Sequence, residues 1–214
     1  QNDGGGTDSG HVRIYENNNG TWTKIGDDID GEANSDHSGF SVSLSGDGSI
    51  VAIGARYNDG GDGSVNNSGH VRIYENDNGT WTQIGDDIDG ESSSDYFGWS
   101  VSLSNDGSVV AIGAPRDDDA TNDAGHVRLY KNFNGTWTQV GGDIDGEAYQ
   151  DYSGSAVSLS GDGSIVAIGA YLNDGGGTNS GHVRVYEKNN GTWTQIGSDI
   201  DGESSSDYSG YSES

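Results

Sequence analysis

The chain repeats itself, and the repeat sets what it can become. Gly-His-Val-Arg begins at Gly10, Gly69, Gly125 and Gly181, at spacings of 59, 56 and 56 residues. Asn-Gly-Thr-Trp follows each copy and ends at Trp22, Trp81, Trp137 and Trp193. Asp-Ile-Asp-Gly-Glu comes next, from Asp28, Asp87, Asp143 and Asp199. A Ser-rich segment opens at Gly39, Gly98 and Gly154 and leads into Val-Ala-Ile-Gly-Ala, which ends at Ala55, Ala114 and Ala170. The extra residues of the first period fall between Ala55 and Gly69, as a surface loop on a repeat scaffold tolerates. A period of this length marks one supersecondary unit that buries its apolar face only against its neighbours.

Each unit reads as four short strands. Ser41-Val42-Ser43-Leu44-Ser45 alternates and so has one buried face. Gly46-Asp47-Gly48 makes a tight turn. Ile50–Ala55 is apolar on both faces and must lie centrally, covered from both sides. His70-Val71-Arg72-Ile73-Tyr74 alternates again, and Trp81-Thr82-Gln83-Ile84 supplies the fourth strand. No segment has helical periodicity, and the abundance of Gly, Asn, Asp and Ser opposes helix. Antiparallel sheets of four strands stacked face to face are the blades of a β-propeller.

The motifs also resemble a known family. Phe97-Gly98-Trp99-Ser100-Val101, Val109-Val110-Ala111-Ile112-Gly113-Ala114-Pro115 and Gly125-His126-Val127-Arg128-Leu129-Tyr130 together resemble an FG-GAP repeat. Such repeats form the blades of integrin α-subunit propellers and of many secreted bacterial and algal proteins. The resemblance covers nearly the whole chain. It departs where Phe97 is replaced by Ser38, Ser153 or Ser209, and Pro115 by Arg56 or Tyr171.

The expected fold is all-β, with about three and a half propeller-type blades of four antiparallel strands. Residues 1–214 form one array: a half blade at 10–38, blades at 39–97, 98–153 and 154–208, and a partial strand at 209–214. Family propellers usually close with more blades, so this array is expected to stay open or to be completed by neighbouring protein. Uncovered blade faces and strand edges invite other chains. Either another copy or more of the same polypeptide would fill them.

Composition narrows the partners. Net charge is -26, from 35 acidic and 9 basic residues. That surface repels nucleic acid and anionic lipid. No apolar run is long enough for membrane insertion. There is no Cys, so disulfides play no part.

Four sets of residues are candidate sites. Asp28, Asp30, Glu32 and Asp36 alternate through a Gly-containing loop, and calcium is the ion such oxygens would hold. The set recurs as Asp87, Asp89, Glu91 and Asp95; as Asp143, Asp145, Glu147 and Asp151; and as Asp199, Asp201, Glu203 and Asp207. In the family resembled, calcium loops lie between strands one and two, where this chain has only Gly-Asp-Gly. The same residues also build turns and cap backbone donors without an ion. Asn19, Asn78, Asn134 and Asn190 each open Asn-Gly-Thr, and Asn66 opens Asn-Asn-Ser, so all are glycosylation acceptors in a secreted eukaryotic protein. Asn-Gly is equally a hairpin turn. The four recurring Trp residues, with Tyr15, Tyr74, Tyr130 and Tyr186, suit cross-strand packing, a sugar or a subunit contact. The variable loops at Asn58–Asp62 and Arg116–Asp119 are candidate recognition elements. His11, His70, His126 and His182 recur beside Arg13, Arg72, Arg128 and Arg184 as structural pairs, whereas His37 has no recurring partner.

The function expected is a non-catalytic, extracellular or cell-surface structural or adhesive module that assembles with copies of itself into an oligomer or fibre. A calcium-dependent, lectin-like propeller binding glycans or extracellular proteins is the alternative. No nucleophile, phosphate-loop or metalloprotease motif suggests an enzyme.

Overall fold

A computed structural model describes residues 5–60, 65–118 and 120–212, all in strands, turns and irregular segments. Gly61, Asp62 and Asp119 of the variable loops lie outside the described residues, as do Glu213 and Ser214 of the partial strand.

The half blade contains β1 (His11–Val12), β2 (Tyr15–Asn18), β3 (Thr21–Lys24) and β4 (Ile29–Asp30). The first full blade has β5 (Ser41–Leu44), β6 (Ile50–Ala55), β7 (His70–Asp77), β8 (Thr80–Gln83) and β9 (Ile88–Asp89). The second repeats it as β10 (Ser100–Leu103), β11 (Val109–Ala114), β12 (His126–Phe133), β13 (Thr136–Gln139) and β14 (Ile144–Asp145). The third has β15 (Ala156–Leu159), β16 (Ile165–Ala170), β17 (His182–Asn189), β18 (Thr192–Gln195) and β19 (Ile200–Asp201). In each full blade the sheet runs strand one, two, three, four, all antiparallel, and the sheets do not close into a barrel.

The fourth strand is broken in two, which corrects the sequence reading. β8 pairs with the far half of β7, Tyr74 opposite Gln83. β9 then returns to the near half, setting His70 opposite Asp89 and Val71 opposite Ile88. The run expected to be a free acidic loop is therefore partly strand. The buried side chain of Ile88 anchors it despite the poor strand preference of the flanking Asp residues.

The Asn-Gly hairpins form as expected. Asn78 and Gly79 both have positive φ, 51° and 90°, the signature of a type I′ turn. Between strands one and two, Asp47 accepts hydrogen bonds from the Ser49 backbone at 2.9 Å and the Ser45 hydroxyl at 2.8 Å. Asp106 and Asp162 do the same in the later blades.

The core lies between sheets. Val51 and Ile53 turn toward the half blade and meet Ile14 and Ile29. Ala52, between them in sequence, turns the other way toward Val110 and Ile112 of the second blade. Ala111 in turn faces Val166 and Ile168 of the third. Strand two of the first and second full blades is thus covered from both sides, as its unbroken apolar sequence requires.

Glycine sets the blade separation. A Cβ on Gly54 would lie 2.1 Å from the Gly98 carbonyl, and one on Gly113 would lie 2.1 Å from that of Gly154. The Gly of Val-Ala-Ile-Gly-Ala in one blade therefore touches the Gly that opens the next. Gly169 meets Gly210 in the same way at the outer side of the third blade.

Candidate functional site

The recurring polar residues converge at the blade junctions. Arg72, buried on β7, reaches back to the half blade, donating to the Asp30 carbonyl at 2.8 Å and lying 3.3 Å from Glu32. Arg184 does the same to the Asp145 carbonyl at 2.8 Å and to Glu147 at 3.4 Å. Arg128 donates to Glu91 at 2.7 Å and to Asp143 at 2.8 Å. Burial disfavours the Arg128 cation, but the bonds to Asp143 and Glu91 outweigh it and hold its pKa above the ordinary value. Asp143 is held below the usual carboxylate range by the same contacts, against the opposing effect of burial.

Beside each arginine sits a buried imidazole. His70 is 1% exposed, with Nδ1 3.7 Å from Asp87 and 4.0 Å from Asp89. Burial, assisted by the charge of Arg72, pushes its pKa down to about 4. His182 is lowered for the same reasons and lies 4.0 Å from Asp201. His126 Nδ1 is 3.1 Å from Asp117.

The structure divides the four carboxylates of each acidic loop among three places. Asp28 and Asp30 lie with His11. Asp28 also takes hydrogen bonds from Arg13 and Lys24, which hold its carboxyl well below the usual range. Glu32 points across the junction to His70 and Asp87 of the next blade. Asp36 is buried in a turn, accepting from the Ala33 backbone at 2.9 Å and the Asn58 amide at 3.2 Å.

The division recurs. Asp95, Asp151 and Asp207 accept from the backbones of Ser92, Ala148 and Ser204. Asp143 and Asp145 group with His126, and Glu147 with His182 and Asp199. Asp87 and Asp199 also accept from Gln83 and Gln195, both at 2.6 Å. Glu203 has no following arginine among the described residues. Calcium favours roughly six to eight oxygens, whereas these groups offer one imidazole and two carboxylates, with a guanidinium on the junction Glu.

The recurring Trp residues bond between blades rather than within their hairpins. Trp81 donates to the Ile25 carbonyl at 3.0 Å, Trp137 to that of Ile84 at 2.9 Å and Trp193 to that of Val140 at 2.8 Å. In the ladder Trp81 stands opposite Asn76, while Tyr74 stands opposite Gln83. Trp22, in the half blade, is 67% exposed, against 8% for Trp193. Asn19, Asn78, Asn134 and Asn190 sit exposed at hairpin tips, and Asn66 is exposed in the loop before β7.

Sequence reasoning missed a band of rings where each blade begins. His37, which has no recurring partner in the sequence, is the counterpart of Tyr96, Tyr152 and Tyr208, and its ring meets Tyr57 edge-on at 4.9 Å. The available signal was an aromatic residue on either side of the blade-opening Gly, as in Tyr96-Phe97-Gly98-Trp99.

The FG-GAP repeat family matches this chain at residues 88–130 and 143–186. No curated protein sequence matches it. Among solved structures it is similar to a protein from Bacteroides uniformis, provisionally described as a 6-phosphogluconolactonase. The TM-score is 0.61 and the identity 14%, over 90% of this chain and 49% of that one. A Bacteroides fragilis protein of the same provisional description gives 0.54 and 16%, over 79% of this chain and 40% of that one. This chain therefore spans half or less of the structures it matches, and at such identities the likeness is one of fold. The matched segments and the order of strands in each blade are consistent with FG-GAP, propeller-like repeats.

Proposed function

We propose that this chain is a non-catalytic structural or adhesive module of the cell exterior whose copies associate end to end. The observation that carries this reading is that its two end faces are halves of one blade junction. At one end Val42 is 54% exposed, whereas its counterpart Val157 is 7% exposed under a neighbouring blade. At the other, Ile200 is 57% exposed, whereas its counterpart Ile144 is 5% exposed. Trp22 and Arg13 at the first end belong to positions that elsewhere reach back one blade. Ile196, Asp201 and Glu203 at the second occupy the positions that elsewhere receive them. Such a heterologous contact propagates rather than closing on itself, unless the rotation completes a ring.

The absence of a catalytic role is part of the same proposal, because the buried His and Arg residues recur from blade to blade as junction contacts. Sedimentation velocity over a concentration series tests the association. Species heavier than 22.2 kDa are expected, with Ile200→Asp shifting the population to single chains. A chain that sediments at 22.2 kDa at every concentration would overturn the reading.

A further inference from the structure

Each blade opens with a four-residue turn whose first and last residues are mostly aromatic. In Tyr96–Trp99 the Trp99 backbone donates to the Tyr96 carbonyl at 3.0 Å, and Gly98 in third place has φ 82°, as a type II turn requires. Phe40 closes on His37 at 3.0 Å and Tyr211 on Tyr208 at 3.1 Å. The first residue of each turn is itself left-handed: His37, Tyr96, Tyr152 and Tyr208 have φ of 55°, 59°, 55° and 54°. Bulky side chains are strained there, and such strain clusters at binding sites.

The turns line up across the blades into one band of rings. Tyr57 meets Tyr96 at 5.2 Å, Tyr96 stacks with Trp99 at 6.2 Å, and Phe40 meets Trp99 at 5.1 Å. Tyr152 lies 5.8 Å from Tyr171, which meets Tyr211 at 5.3 Å. Two guanidinium groups are set among them. Arg56 lies 3.6 Å from the Phe40 centroid and 4.4 Å from that of Trp99, and Arg116 bridges Tyr96 and Tyr152 at 5.1 and 5.9 Å. Ser155 stands where other blades carry Phe, Trp or Tyr. A cleft of about 100 Å³ opens beside it, between Trp99, Arg116, Tyr152 and Tyr171.

The charge here opposes that of the rest of the molecule. Arg13, Arg72, Arg128 and Arg184 pair with carboxylates. Arg56 and Arg116 have no ion pair among the described residues, although the chain has 35 acidic residues to 9 basic. Burial lowers the Arg56 pKa, and the neighbouring Arg116 charge adds to the effect. The band also lies where the repeats differ: positions 56, 115 and 171 hold Arg, Pro and Tyr, and positions 40, 99, 155 and 211 hold Phe, Trp, Ser and Tyr. A purely architectural position keeps one residue in every blade, as the Trp series does.

We propose that this band is a binding site for an acidic polysaccharide. Sugar rings would lie on the aromatic faces, and a carboxylate or sulfate of the glycan would engage Arg56 and Arg116. Guanidinium groups match both anions through paired N–H donors. The aromatic steps suit a chain of sugar rings, which a polyphosphate does not present. The site is independent of end-to-end association.

Titration calorimetry of the full chain with a polyuronate, a sulfated dextran, neutral dextran and poly-glutamate tests this. Binding of the polyuronate or the sulfated dextran is expected, and which of the two binds identifies the anion. Trp99→Ala and the double variant Arg56→Gln/Arg116→Gln should each weaken it at least tenfold. Lys131→Gln, which removes one cation outside the band, should not. Arg116→Gln alone, at an exposed position that leaves the packing in place, should also weaken binding. Failure of both acidic glycans to bind, equal binding of poly-glutamate or neutral dextran, or indifference to Arg116→Gln would each overturn the proposal.

Discussion

His70 shows how one side chain ties the junction to pH. Its imidazole is buried and neutral, with a pKa of about 4, whereas an unfolded histidine titrates near about 6.5. Between those values the unfolded chain takes up a proton that the folded chain refuses. Stability therefore rises with pH across that window and is lost as pH falls through it. The contribution from His70 is on the order of 3 kcal/mol, and His182 acts in the same direction. The melting temperature should fall clearly between pH 7 and pH 4.5, and His70→Asn should flatten that dependence; an unchanged melting point would show that the imidazole is not held neutral. Asp47 and Asp162, held down to about 2 by their turn hydrogen bonds, act in a lower window and release their contribution as pH falls from about 4 toward 2.

At the scale of the element, the glycine pairs make the sharpest prediction. Gly113→Ala would place a methyl group 2.1 Å from the Gly154 carbonyl. The blades would have to separate, with a cost of about 1–3 kcal/mol or more. Gly142→Ala, where nothing lies within 4 Å, should be nearly neutral, and denaturant unfolding of the two variants compares them. The strands themselves could be read from sequence because period-2 and unbroken apolar runs recur with Asn-Gly turns between them. The second half of strand four could not: two residues, one of them Asp, carry no pattern, and only the pairing with His70 and Val71 makes them strand. The acidic loop misled for a related reason. Alternation was taken to bring four carboxylates together, but strand geometry sends Glu32 across the junction and Asp36 into a turn. The aromatic band escaped notice because its rings come from different repeats at non-equivalent positions, such as Tyr57 with Tyr96 and Tyr171 with Tyr211.

For the whole molecule, division of the acidic residues among arginine, imidazole and backbone donors predicts little response to calcium. Melting curves with millimolar calcium and with a chelator should superimpose; a rise with calcium would restore the loops as ion sites. The array as a whole behaves as a one-dimensional stack, in which each blade is stabilised mainly by its neighbours.

The indole bonds that cross each junction all run one way, from a Trp to the carbonyl of the blade before it. The stack consequently has polarity: one terminus offers hydrogen to the next unit and the other offers lone pairs. A filament of such units would grow at two chemically different tips, and a full chain with one end face disabled would cap one tip while leaving the other free to extend.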